Sequence, residues 1–146
     1  MSAALPQLHP LLARLLARSD CVALDEPGFD DFARRPGEAL LFFAADPQKV
    51  RETLDLAVIL PELTRALTHP VRVGLLEPGL AQRNAARYAL ARFPALVFLR
   101  GGEYLGAIEG LRDWAEYLRL GEQLLAAPAR PLPAKRIAVS AGGVRD

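Results

Sequence analysis

One cysteine in 146 residues excludes a disulfide framework, and with it any chemistry in which two thiols of one chain exchange with each other. Histidine is nearly as scarce. His9 and His69 each stand without a Cys, Asp or Glu at ligand spacing, so no metal site is expected. No charge predominates: 18 basic and 17 acidic side chains leave a net +1, too little for a field that would gather nucleic acid or an anionic membrane. Apolar runs are short of the ~20 residues a membrane span needs. The opening, MSAALPQLHPLLARLLARSD, lacks a basic start, and Arg14 and Arg18 interrupt its apolar part, unlike a secretory signal. No Ser-His-Asp set, phosphate loop or pair of catalytic carboxylates can be assembled, so neither a catalytic residue nor a cofactor is expected. A soluble cytoplasmic protein, not an enzyme, is the expectation.

What is present is ordinary globular composition, 51% hydrophobic and 24% charged, in a length suited to one domain. From Pro128 onward lie four of the basic residues (Arg130, Lys135, Arg136, Arg145) and one acid, Asp146. The remainder has fourteen bases against sixteen acids. Residues 1–127 are expected to form the domain, and residues 128–146, with three prolines and two glycines, a flexible basic tail.

Along the domain, Leu5, Leu8, Leu11, Leu12, Leu15 and Leu16 recur at helical spacing, with the firm helix starting near Pro10. Cys21 to Leu24 reads as a short strand, and GFDDFARR after Pro27 as a short helix with Phe29 and Phe32 on one face. Glu38 to Ala45, EALLFFAA, is apolar throughout and therefore a central strand covered on both sides. A polar loop, DPQKVRET, precedes a helix behind Asp55 whose inner face is Leu56, Ile59, Leu60, Leu63 and Leu67, with Pro61 within it. Val71 to Glu77 is a second central strand, and PGLAQRNAARYALARF a helix opened by Pro78. RFPALVFLRGGEYLGAIEG, Arg92 to Gly110, gives two strands around Gly101-Gly102. A last amphipathic helix is expected to turn Leu111, Trp114, Leu118 and Leu125 inward, with Trp114 a core anchor. Helices alternating with the first strands require parallel crossovers, and the hairpin adds antiparallel strands: an α/β mixed sheet with helices on both faces.

That order resembles thioredoxin over Val22 to Ala127. ALLFFAA resembles the strand leading to its active site, Pro61 the proline within the following helix, and RFPALVF the strand opened by a cis-proline. At the start of the long helix, where that superfamily carries Cys-x-x-Cys, this chain has DPQKVRETLDL. The chain resembles more closely the HyaE/HupG/HoxO proteins, accessory factors for uptake [NiFe]-hydrogenases, through the Asp-Pro after the central strand, RFPALVF, and the Asp-Trp-Ala-Glu-Tyr-Leu of Gly110 to Leu118.

The resemblance implies a redox-inactive thioredoxin-like chaperone that binds the hydrogenase small-subunit precursor through its twin-arginine signal peptide, with a second maturation factor as a further partner. The resemblance also implies that Pro94 is cis, leaving the backbone of Phe93 open to an extended peptide by strand addition. Asp25, Glu26, Asp30, Asp31, Asp46 and Glu77 are candidate carboxylates for the partner's arginines. Otherwise Asp25, Glu26, Asp30 and Asp31 simply suit the start of a helix. The alternative is a one-cysteine thiol oxidoreductase or peroxidase using Cys21. An apolar strand setting favours a buried, inert thiol instead.

Overall fold

The computed structural model describes residues 9–17 and 21–133. Leu5, Leu8 and the tail residues Lys135, Arg136, Arg145 and Asp146 lie outside the described residues. Five strands form one sheet: β1 (Cys21–Ala23), β2 (Glu38–Phe43), β3 (Arg72–Leu76), β4 (Ala95–Arg100) and β5 (Glu103–Glu109). Their lateral order is β1-β3-β2-β4-β5. β1, β3 and β2 run parallel, while β4 and β5 are antiparallel to their neighbours.

Among the described residues, five α-helices cover it: α1 (Pro10–Leu16), α2 (Glu26–Arg34), α3 (Glu52–Ala66), α4 (Pro78–Asn84) and α5 (Trp114–Ala126). Alternate residues of each central strand point to opposite faces, and this divides the core in two. Leu40, Phe42, Leu96 and Phe98 pack with Leu12, Leu56, Leu60 and Tyr117 beneath α1, α3 and α5. Leu41, Phe43, Val97 and Leu99 pack with Phe29, Phe32, Leu80 and Tyr88 beneath α2 and α4. Ala39 to Phe43 of β2 are fully buried on both faces, as a continuous apolar run requires. The hairpin closes at Gly101 and Gly102, whose φ values of 56° and 90° suit a turn that only glycine adopts without strain.

Several boundaries differ from the expectation. α3 starts at Glu52, ahead of Asp55, because Thr53 turns inward and its hydroxyl accepts from the Ala45 N–H at 3.2 Å. Asp55 thus sits in the first turn. Ile59 is only partly buried, on the flank of the inner stripe. The helix begun at Pro78 ends at Asn84, whose side-chain amide donates back to the Leu80 carbonyl at 2.9 Å. A 3₁₀ turn over Ala85–Tyr88 follows, and Ala89, at φ 56°, reverses the chain. Tyr88 can then enter the core, edge-on to Phe43 and stacked on Tyr104. His9 caps α1, its Nδ1 accepting from Leu11 N at 3.1 Å.

Arg100 joins the hairpin to the end of α5. Its guanidinium donates to Glu38 Oε2 at 3.0 Å and to the carbonyls of Ala127 and Leu125 at 3.1 and 2.5 Å. Beyond α5, Arg130 N donates to the Tyr104 carbonyl at 2.8 Å, so the first residues of the tail run beside β5. The hydrogen bond from Arg100 holds the Glu38 carboxyl below its ordinary value, outweighing the opposing effect of burial. A depressed carboxyl stabilises the fold above the unfolded-state pKa and loses that contribution as pH falls through the folded-state value. The stability difference between the native chain and Glu38→Gln is therefore expected to be present at neutral pH. It should vanish between about pH 5 and pH 3, measured as urea midpoints across that range.

Candidate functional site

All three parallel strands end at the edge of the sheet where β4 begins and β5 ends, because Phe43 pairs with Ala95 and Ala95 with Glu109. In lateral order this end carries Asp25 after β1, Glu77 after β3, Asp46 after β2, Phe93-Pro94 before β4 and Gly110 after β5. At ~4.8 Å between strands, Asp25 and Pro94 stand roughly 14 Å apart. Topology thus gathers Asp25, Glu77, Asp46, Phe93 and Pro94 into one row. Asp30 and Asp31 lie a turn further along α2, away from it.

The Phe93-Pro94 bond is cis. Pro94 is buried and Phe93 half-buried against the α2–α4 core. The approach to Phe93 is held by Glu109, whose Oε1 accepts from Ala91 N and Arg92 N at 2.8 and 2.9 Å. Gly110 N donates to the Pro94 carbonyl at 2.8 Å. Between these ties, the N–H and C=O of Phe93 take no partner among the described residues. Backbone groups in that state suit strand addition.

The six candidate acids are already engaged. Asp25 caps α2, accepting from Gly28 N at 2.7 Å. Glu77 caps α4, accepting from Gly79 N and Leu80 N at 2.8 and 3.0 Å. Asp46 accepts from Gln48 N at 3.0 Å. Glu26 and Asp30 pair with Arg83 and Arg87 at 2.8 and 2.9 Å, and Asp31 faces Arg35 at 3.8 Å. The bases that meet Glu26 and Asp30 come from α4 and the 3₁₀ turn, fifty-seven positions downstream. Nothing local in the sequence announces them. As helix caps, Asp25 and Glu77 suit the positive ends of their helices.

Leu111 and Trp114 are displaced from their expected role: they are 42% and 40% exposed, and Tyr117, Gly121 and Leu125 form the inner face of α5 instead. Asp113 caps the helix, accepting from Glu116 N at 2.8 Å. Trp114 is therefore the first helical residue, beyond the end of the sheet, and Leu111 precedes the helix altogether. Helical spacing from Leu111 did not apply, and the Asp-x-x-Glu of Asp113 to Glu116 was the signal for the true start.

The inward residues of the first turn of α3 are Thr53 and Leu56, both fully buried. Cys21 is buried at the start of β1. By register it stands three residues back from the row, about 10 Å, and three strands across. His69 is partly exposed in the loop after α3, and its buried Nδ1 has no hydrogen-bond partner among the described residues. Among the described residues, no helix is long and apolar enough to cross a membrane.

The family model described as Hydrogenase-1 expression protein HyaE matches residues 11–117. A hydrogenase expression/formation protein HoxO from Cupriavidus necator is 37% identical over 92% of this chain and 86% of its own length. A HoxO from Azotobacter vinelandii is 40% identical over 86% of this chain and 84% of its own. Among solved structures, a hydrogenase expression/formation protein HupG from Rhodopseudomonas palustris aligns with TM-score 0.50 and 31% identity, covering 72% of this chain and 95% of that one. A thioredoxin variant from Halobacterium salinarum aligns with TM-score 0.60 over 75% of this chain and 94% of that one. At 20% identity it shows the thioredoxin-like fold alone.

Proposed function

The chain belongs to the HyaE family of hydrogenase expression/formation proteins, whose work is hydrogenase maturation, and from that premise we propose that it acts as a binding module rather than an enzyme. Its partner in this reading is the hydrogenase small-subunit precursor, held in the cytoplasm through the twin-arginine signal peptide, with a second maturation factor joining the complex. The observation that carries the reading is the unpartnered backbone of Phe93, at the sheet end that also holds the first turn of α3, where Thr53 and Leu56 are buried and no cysteine stands. An extended peptide pairs with Phe93 there, and Pro94 sets the floor of the contact from beneath the surface. Thiol chemistry through Cys21 has no support from this geometry, since an active thiolate needs access and a basic neighbour.

Asp25, Asp46 and Glu77 contribute by shaping the row, while Glu26 and Asp30 hold exposed pairs that an incoming arginine can exchange. Exposed pairs contribute only ~0–1 kcal/mol each. Charge then governs orientation and on-rate, and apolar contact supplies most of the affinity. Titration of the protein onto surface-bound precursor peptide should show binding on the order of micromolar. It should weaken with salt yet persist at about 1 M, where the Debye length is ~3 Å. Absence of binding to both the peptide and the intact precursor would overturn the reading.

A further inference from the structure

We infer that Glu109, the last residue of β5, is the positioning residue for the backbone at Phe93. Its carboxylate fixes the two amides before Phe93 and so decides which main-chain groups an extended segment can pair with. The role rests on the binding-module reading and supplies the device that shapes its contact surface. The segment from Leu90 to Pro94 lies between the 3₁₀ turn and β4 and belongs to no helix or strand. Without a ladder of its own, such a connection keeps one backbone pattern only if other groups hold it. Leu90 N donates to the Ala85 carbonyl at 3.0 Å, where the support from the 3₁₀ turn ends. The next two amides, Ala91 N and Arg92 N, both donate to Glu109 Oε1, at 2.8 and 2.9 Å.

The carboxylate is mounted on a well-tied corner. Glu109 pairs with Ala95 at the end of the β4–β5 ladder, and Gly110 N holds the Pro94 carbonyl at 2.8 Å. Arg112 Nε donates to the Glu109 carbonyl at 3.2 Å, and its Nη1 to Glu116 of α5 at 3.1 Å. The Tyr117 hydroxyl donates to the Gly110 carbonyl at 3.0 Å. The corner is thus joined to β4 on one side and to the first turn of α5 on the other. Arg92 also folds its guanidinium over Gly110, where an added Cβ would stand 3.4 Å from Nη2. The segment therefore meets the corner twice, once through its amides and once through this side chain.

The geometry of the two amide bonds has a consequence for pairing. Consecutive N–H groups converge on one oxygen only where the chain bends, whereas a strand needs alternate groups facing one way. Ala91 and Arg92 are therefore withdrawn from strand pairing. Between Leu90 and Pro94, Phe93 is left as the one residue whose N–H and C=O both lack a partner among the described residues. An incoming segment meets a single donor and acceptor, not a row along which it can slide, and this sets its register. Amide bonds to a carboxylate are the stronger kind, and loss of this one carboxylate would free two neighbouring amides together.

The test follows amide hydrogen exchange by NMR beside binding of the precursor peptide, in the full chain, for the native protein, Glu109→Gln and Glu109→Ala. Without peptide, Ala91 and Arg92 should exchange slowly in the native chain and Phe93 rapidly. Glu109→Ala should speed exchange at Ala91 and Arg92 at least ~tenfold and leave Thr68 and Arg130, whose amides are bonded elsewhere, unchanged. The same variant should weaken peptide binding about fivefold, mainly through faster dissociation. Glutamine keeps an acceptor oxygen and loses the charge, so Glu109→Gln should restore slow exchange and most of the affinity. A merely structural role would lower the urea midpoint without this selective exchange pattern or its rescue. The inference is overturned if Glu109→Ala binds as the native chain does, if its Ala91 and Arg92 amides stay protected, or if Glu109→Gln fails as badly as alanine. In each of those cases the binding-module reading stands. If the native chain binds neither the peptide nor the intact precursor, that reading fails and the role of Glu109 with it.

Discussion

Tyr117→Ala is expected to remove about 3–5 kcal/mol of folding stability, the range for truncating a buried aromatic side chain. Tyr117 is fully buried and the bulkiest of the wholly enclosed side chains. Its ring fills the space between α5 and the sheet face that also holds Phe42, Leu96 and Phe98. Its hydroxyl donates to the Gly110 carbonyl at 3.0 Å. Burial pushes the phenol pKa up, so the group remains a neutral donor throughout the working pH range. Tyr117→Phe keeps the ring and removes the bond, at a cost of about 1 kcal/mol. Against a total of ~5–15 kcal/mol for a natural domain, the alanine variant approaches unfolding and the phenylalanine variant does not. Urea denaturation of both variants measures the difference. Equal losses would mean that the hydroxyl, rather than the packing, carries the residue's contribution. The phenylalanine variant should also loosen the Gly110–Asp113 link.

Gly74→Val is expected to destabilise by about 2–3 kcal/mol. Gly74 lies in β3 between β1 and β2, paired with Val22 on one side and Leu41 on the other. A Cβ there would stand 2.7 Å from Leu24 Cδ1 and 2.9 Å from the Phe32 ring, with no conformational objection to a side chain. The obstacle is space alone. Phe32 is held in turn, since Arg72 lies over its ring at 4.7 Å and donates to its carbonyl at 2.9 Å. Valine must therefore push α2 off the sheet or turn Phe32 out of its place. Combining Gly74→Val with Phe32→Leu should recover part of the loss, giving a coupling above about 0.5 kcal/mol in a double-mutant cycle. A loss below about 0.5 kcal/mol for the valine variant alone would show that the α2 seat yields easily.

Much of the architecture was legible in particular residues. The unbroken apolar run of β2, the Phe29–Phe32 face of α2, Gly101-Gly102 and the inner stripe of α3 are local signals. Each appears where chain chemistry directs it. The site was less legible, because its character depends on distant partners. Glu26 and Asp30 look like free acids until Arg83 of α4 and Arg87 of the 3₁₀ turn arrive beside them. Trp114 shows the same limit from the other direction. Its periodicity promised burial, yet the sheet ends before reaching it.

The bond from Arg130 to Tyr104 bears on how this molecule avoids its own kind. β5 is a seven-residue border strand, and such strands offer a template on which further chains can align and stack. Here the carbonyl of Tyr104 is already taken, by a segment whose neighbours Pro128, Pro131 and Pro133 have no amide hydrogen to pass the ladder outward. Arg100 holds the root of that segment through the carbonyls of Leu125 and Ala127. Over Tyr104 this border of the sheet is therefore covered by a segment poor in donors, which leaves less of β5 open to a second copy of the chain.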